Sequence, residues 1–158
     1  MIEFDVKIKA GDLYDYMLRH TYNSPAGILG SGVGAVMVVA GAMQGKWLFV
    51  ILGAILLLYL PWSLWIRSSR QVLSNPAFAK PLHYCMDEEG VSVSQDEQTQ
   101  KLSWADMYKA VSTGKSIILY TSKVNACIFP KRDLKDKSMQ VIRMICTHMD
   151  ASKVKIRQ

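Results

Sequence analysis

The stretch AGILGSGVGAVMVVAGAM (26–43), QGK (44–46) and WLFVILGAILLLYLPWSLWI (47–66) decides how the rest of the chain must be read. The first run carries no charge and only Ser31 as a polar side chain, and the second is apolar apart from Ser63. At ~1.5 Å per helical residue the two runs measure roughly 27 and 30 Å, matching a hydrocarbon core of about 30 Å. Backbone groups in lipid must be satisfied within the segment, which makes each run a helix. The expectation is a transmembrane helical hairpin. A soluble αα-hairpin would need a large protein to cover it, and 158 residues offer no such cover. The 25 residues ahead of it hold four acids and a strand-like pattern, unlike a cleaved signal peptide.

Cations set the expected orientation. Arg19 precedes the first run and Arg67, Arg70 and Lys80 follow the second, whereas the turn carries only Lys46. Positive flanks stay cytoplasmic, so both termini are expected inside and the turn outside. Trp47 marks one interface, and Tyr59, Trp62 and Trp65 mark the other. Pro61 is expected to kink the last turn.

The net charge of +6 comes almost wholly from residues 67–158, which hold 15 Lys/Arg against 9 Asp/Glu. Such a domain is attracted to an anionic leaflet. Nucleic acid is not expected as a partner, because no helix carries a run of cations and no zinc-finger spacing occurs. Three scattered cysteines, Cys85, Cys127 and Cys146, suit a reducing compartment.

Residues 2–9 alternate strictly, with Ile2, Phe4, Val6 and Ile8 on one face, which reads as a half-buried strand. It has no partner before the hairpin, so it is expected to join a sheet beyond it. Asp12 is read as the N-cap of a short helix. Past a connector at 67–81, the pattern becomes short strands at 82–86, 91–94, 102–104, 108–112, 117–121 and 126–129, with 95–100 read as a polar turn. Asp133 is then read as capping a final helix with an apolar stripe. The organisation is therefore an N-terminal strand and short helix (1–25), a membrane hairpin (26–66), a connector (67–81) and a cytosolic β domain with a C-terminal helix (82–158). The fold class is an α+β membrane protein.

The order of Asp87-Glu88-Glu89-Gly90, then Leu102-Ser103-Trp104-Ala105-Asp106-Met107-Tyr108-Lys109, Ile117-Ile118-Leu119-Tyr120-Thr121 and Ile128-Phe129-Pro130-Lys131-Arg132 resembles the YcxB-like family of bacterial membrane proteins. The resemblance extends over nearly the whole chain. It implies a protein of the bacterial cytoplasmic membrane with a small antiparallel, pleckstrin-homology-like (PH-like) curved sheet closed by one helix. It implies no activity and no catalytic residues.

Ser112-Thr113-Gly114-Lys115-Ser116 ends like a phosphate-binding loop but lacks its first glycine and its following helix, so a hairpin tip is the better account. His83, Cys85, Cys146 and His148 do not fit a zinc site, since Cys146 and His148 point about 200° apart on a helix. No catalytic, metal or cofactor set is expected, and the chain is not read as an enzyme. Lys131, Arg132, Lys135 and Lys137 form a basic group that could face lipid headgroups or an acidic partner. Gly30, Gly34 and Gly53 are candidates for close helix packing, within the hairpin or in a homodimer. The function expected is a membrane-anchored binding module for a protein partner or anionic lipid. An immunity protein against a membrane-directed toxin, or an accessory subunit of a transporter, are the alternatives.

Overall fold

The computed structural model describes residues 1–96 and 98–156. Strand β1 (Ile2–Val6) leads into helices α1 (Ala10–Tyr22), α2 (Pro25–Met43) and α3 (Trp47–Ser74). Six strands follow: β2 (Leu82–Met86), β3 (Gly90–Gln95), β4 (Gln98–Ser103), β5 (Lys109–Ser112), β6 (Ser116–Tyr120) and β7 (Ala126–Pro130). Helices α4 (Lys131–Leu134) and α5 (Ser138–His148) and a two-residue strand β8 (Val154–Lys155) complete the described chain.

The strands form two four-stranded sheets, ordered β1-β2-β3-β4 and β7-β6-β5-β8, rather than the single antiparallel sheet expected. The chain changes sheet at a 3-10 turn over Trp104–Asp106. The second sheet is mixed, because β8 returns from α5 to lie parallel to β5. Strand β1 is antiparallel to β2, with Phe4 opposite Tyr84 and Val6 opposite Leu82. The outward run of α2 and the return run of α3 bring the chain back to this edge. Phe4, Val6 and Ile8 then enter the main core beside Tyr84, Phe129 and the α5 residues Val141 and Ile145.

Strand β6 has no exposed residue. Ile117 and Leu119 face the main core, while Ile118 and Tyr120 form a second cluster with Val111 and Tyr16 of α1. A strand covered on both faces reads as a continuous apolar run, which is why Ile117-Ile118-Leu119-Tyr120 does not alternate.

Helices α2 and α3 pack against each other and leave most of their large side chains uncovered. In the most apolar 18-residue window of each, only 17% and 11% of residues are buried. Both are long and apolar enough to cross a membrane. Ser24 caps α2 by accepting the Gly27 amide, with Pro25 as its first residue. Gly45 adopts φ +67 in the turn, a conformation that favours glycine.

Helix α3 outlasts its apolar run and stays helical to Ser74, so the connector expected from residue 67 begins only at Asn75. No Gly or Pro interrupts 62–74, Ser68 is buried, and α1 packs on α3. Pro61 therefore lies inside the helix and not in its last turn. Strand β4 replaces the polar turn read at 95–100. It is an outer strand with exposed side chains, so its pairing left no apolar alternation to read.

Candidate functional site

Of the four cations expected to form one basic surface, Arg132, Lys135 and Lys137 line one hollow of about 680 Å³ together with Glu3, Asp5, Asp133 and Asp136, while Lys131 lines another. Arg132 donates through Nη1 and Nη2 to the two Asp12 carboxylate oxygens at 2.6 and 2.7 Å. Its Nη2 also donates to the Lys7 carbonyl, and its Nε lies 3.1 Å from Asp133. The Asp12 side chain is only 4% exposed and also accepts the Lys9 amide. Donating to the Asp12 carboxylate holds the Arg132 guanidinium above its ordinary range. Arg132 is thus a clamp between the start of α1 and the short α4 that follows β7, with two hydrogen bonds in the fork geometry suited to a carboxylate.

Lys137 donates to the Glu3 carbonyl at 2.6 Å, and Lys131 donates to the Thr113 carbonyl at 2.7 Å. Lys135 is exposed at φ +47. Two aspartates read as caps also take other roles. Lys9 occupies the N-cap of α1 and Asp12 reaches back to it from the third helical position. Asp133 sits in the first turn of the short α4 and accepts the Lys7 amide at 3.2 Å.

The glycine candidates also separate. A Cβ on Gly53 would meet the Gly34 carbonyl oxygen at 2.8 Å and the Met37 Cβ at 3.0 Å, and one on Gly34 would meet Leu57 at 2.9 Å. These two glycines are where the backbones of α2 and α3 come together. Gly30 has only the tip of Leu60, at 3.9 Å, so it takes no part in the close contact between α2 and α3. Gly41, not singled out from sequence, is as crowded as Gly34, with Phe49 Cβ at 2.9 Å.

The remaining motifs have structural roles. The Asp87 carboxylate accepts the Glu89 and Gly90 amides, both at 2.9 Å, and these bonds hold it below the usual carboxylate range. Trp104 is buried, donates to the Asp87 carbonyl and stacks on His148 at 5.3 Å. His83 pairs with Asp5 at 2.7 Å. Among the described residues no three His, Cys, Asp or Glu side chains converge as a metal site.

The segment 112–116 is the tip of the β5–β6 hairpin. The Thr113 hydroxyl accepts the Ser116 amide at 2.9 Å and donates to Asp15 of α1 at 2.6 Å. Beside this tip two adjoining hollows of about 680 and 390 Å³ share Arg19 and Lys155. Lys131 lines one and Lys109 the other, so four cations meet from α1, β5, the start of α4 and β8. Asn23 and Ser24, the two residues before α2, line the second hollow. No local sequence signal foretells this cleft, because its cations are 22 or more positions apart and only Lys131 belonged to the basic group read from sequence.

Residues 87–145 match the family model described as YcxB-like protein. This span runs from the turn before β3 into α5, narrower than the near whole-chain resemblance read from the sequence. No curated protein and no solved structure matches the chain.

Proposed function

Starting from a chain whose residues 87–145 are YcxB-like, we propose that it is a membrane-anchored binding module. The α2–α3 hairpin crosses the bacterial cytoplasmic membrane, both termini are cytoplasmic, and a PH-like domain works at the inner leaflet. The observation that carries this reading is the bare apolar flank of the hairpin. Ile28, Leu29, Val36, Leu48, Ile55 and Leu58 are all exposed, although α1 packs on both helices. In water this would be an apolar patch far beyond what soluble monomers tolerate.

The charge distribution supports the orientation, since Arg19, Arg67, Arg70 and Lys80 flank the domain end and Lys46 alone flanks the turn. Two sheets with α5 buried against them support the PH-like reading. The domain is also held firmly to its anchor: α1 packs along α3, with the Tyr14 ring edge-on to Trp65 at 5.2 Å. A module fixed this way has one face turned to the bilayer and the rest to the cytoplasm. A protein partner there is favoured by β4, whose outer edge has no neighbouring strand among the described residues.

Extraction tests the anchoring. The chain should stay with the membrane pellet in alkaline carbonate and be released only by detergent. Recovery in the carbonate supernatant would overturn the reading.

A further inference from the structure

We propose that the cleft lined by Arg19, Lys109, Lys131 and Lys155 binds the phosphate headgroup of an anionic phospholipid in the leaflet that α2 enters. The inference rests on the membrane reading above and names the ligand and the site.

Charge comes first. Among the described residues neither hollow is lined by a carboxylate, and none of the four cations has an acidic partner within salt-bridge distance. This contrasts with Arg132, whose charge is consumed by Asp12. Asp15 reaches the same hairpin tip, but its carboxylate already accepts the Thr113 hydroxyl. Lys131 gives one of its three hydrogens to the Thr113 carbonyl, leaving two for a ligand. The Lys109 ammonium sits 4.5 Å from the centre of the Tyr120 ring, which holds it without neutralising it.

The polar lining suits phosphate as well. Ser112 stands at the rim of the larger hollow beside Thr113, whose own hydroxyl is engaged by Asp15, and His20 stands in the smaller. Burial pushes the Tyr120 hydroxyl up to about 12, so it remains a neutral donor at the cleft wall. A phosphate diester or monoester meets several cations and the hydroxyls of Ser112 and Tyr120 here, and the nearby Asp15 carboxylate is engaged by the Thr113 hydroxyl.

Position selects the lipid over a soluble anion. Asn23 and Ser24 line the cleft, and Ser24 is the cap of α2 itself. A ligand in the cleft therefore lies where the chain passes from domain to hairpin. Cationic pockets at that level meet headgroups by geometry, without drawing a solute from bulk.

The test uses the full chain in neutral-detergent micelles, titrated with phosphatidylglycerol or phosphatidylcholine and read by native mass spectrometry. Phosphatidylglycerol should bind the wild type in preference to phosphatidylcholine. Arg19→Gln/Lys155→Gln should weaken phosphatidylglycerol binding about tenfold or more, while Arg19→Lys/Lys155→Arg should bind within about threefold of wild type. Lys123→Gln/Lys135→Gln, which removes the same charge elsewhere, should change binding by less than about twofold. Equal losses in the two Gln pairs, or none in either, would overturn the proposal. Displacement of the lipid by an equal concentration of inorganic phosphate would overturn it in favour of a soluble anion. Binding is read in micelles and anchoring by carbonate extraction, so failure of the site and failure of the membrane reading are told apart.

Discussion

Phe4→Ala is the sharpest single perturbation of this fold, because one ring joins the N-terminal strand to the domain built from residues more than 75 positions later. Phe4 is 5% exposed. Its ring lies nearly parallel to Tyr84 at 5.8 Å and edge-on to Phe129 at 5.4 Å. Truncation of a buried Phe costs about 3–5 kcal/mol, with the larger figures where the surroundings cannot collapse. Here they cannot: β1 is fixed in register with β2, and Tyr84 and Phe129 are themselves held in strands. Against a total stability of about 5–15 kcal/mol the loss is large, lowering the melting temperature on the order of 10 °C. Thermal unfolding of the purified chain in detergent, followed by near-ultraviolet circular dichroism, measures it. Glu3→Ala, on the exposed face of the same strand, should stay within about 0.5 kcal/mol of wild type. Melting of Phe4→Ala within a degree or two of wild type would refute the claim that β1 is part of the core.

Three further outcomes follow from particular contacts. Gly53→Ile and Gly34→Ile should lower the melting temperature in detergent, whereas Gly30→Ile should be tolerated; equal effects at all three would remove the account of the α2–α3 contact. Asp12→Asn leaves Arg132 facing a neutral amide and should cost about 1–3 kcal/mol, below the full cost of breaking a buried pair because the Arg132 side chain is 40% exposed; chemical denaturation reads it, and no change in midpoint would sink the clamp. Burial pushes the Cys127 thiol up to about 11, and the thiolate is the reactive form. Its alkylation, followed by mass spectrometry, should be slow at neutral pH and rise about tenfold per pH unit below that value, while exposed Cys146 reacts first; equal rates at pH 7 would contradict the burial.

Much of this architecture is legible because local pattern and tertiary role coincide. The alternation of 2–8 marks a strand with no local partner, and β2 supplies one. The runs 26–43 and 47–66 are helical throughout, and Thr113-Gly114-Lys115 turns the β5–β6 hairpin. Legibility fails where the deciding contact is distant. The polar residues Gln98, Thr99 and Gln100 form a strand because β3 offers an edge, not because their own pattern asks for one. Helix α3 runs on past Ile66 because α1 packs against it. Charge is the least legible feature. Lys131 and Arg132 are adjacent in sequence, yet Asp12, 120 positions away, takes Arg132 while Lys131 joins Arg19 in the cleft. A basic cluster in sequence is therefore not a basic surface until its acids are placed.

Cysteine accessibility tests the membrane hairpin and its orientation together. Gln44→Cys is the probe for the turn, since Gln44 is exposed at ordinary φ, whereas Gly45 is at φ +67 and would be strained as cysteine. Cys146, exposed on α5, is the natural probe for the domain. Intact cells carrying the variant are treated with a membrane-impermeant maleimide, before and after permeabilisation. The account predicts labelling of residue 44 in intact cells and of Cys146 only after permeabilisation. The reverse order, or labelling of neither site until the cells are opened, would contradict it.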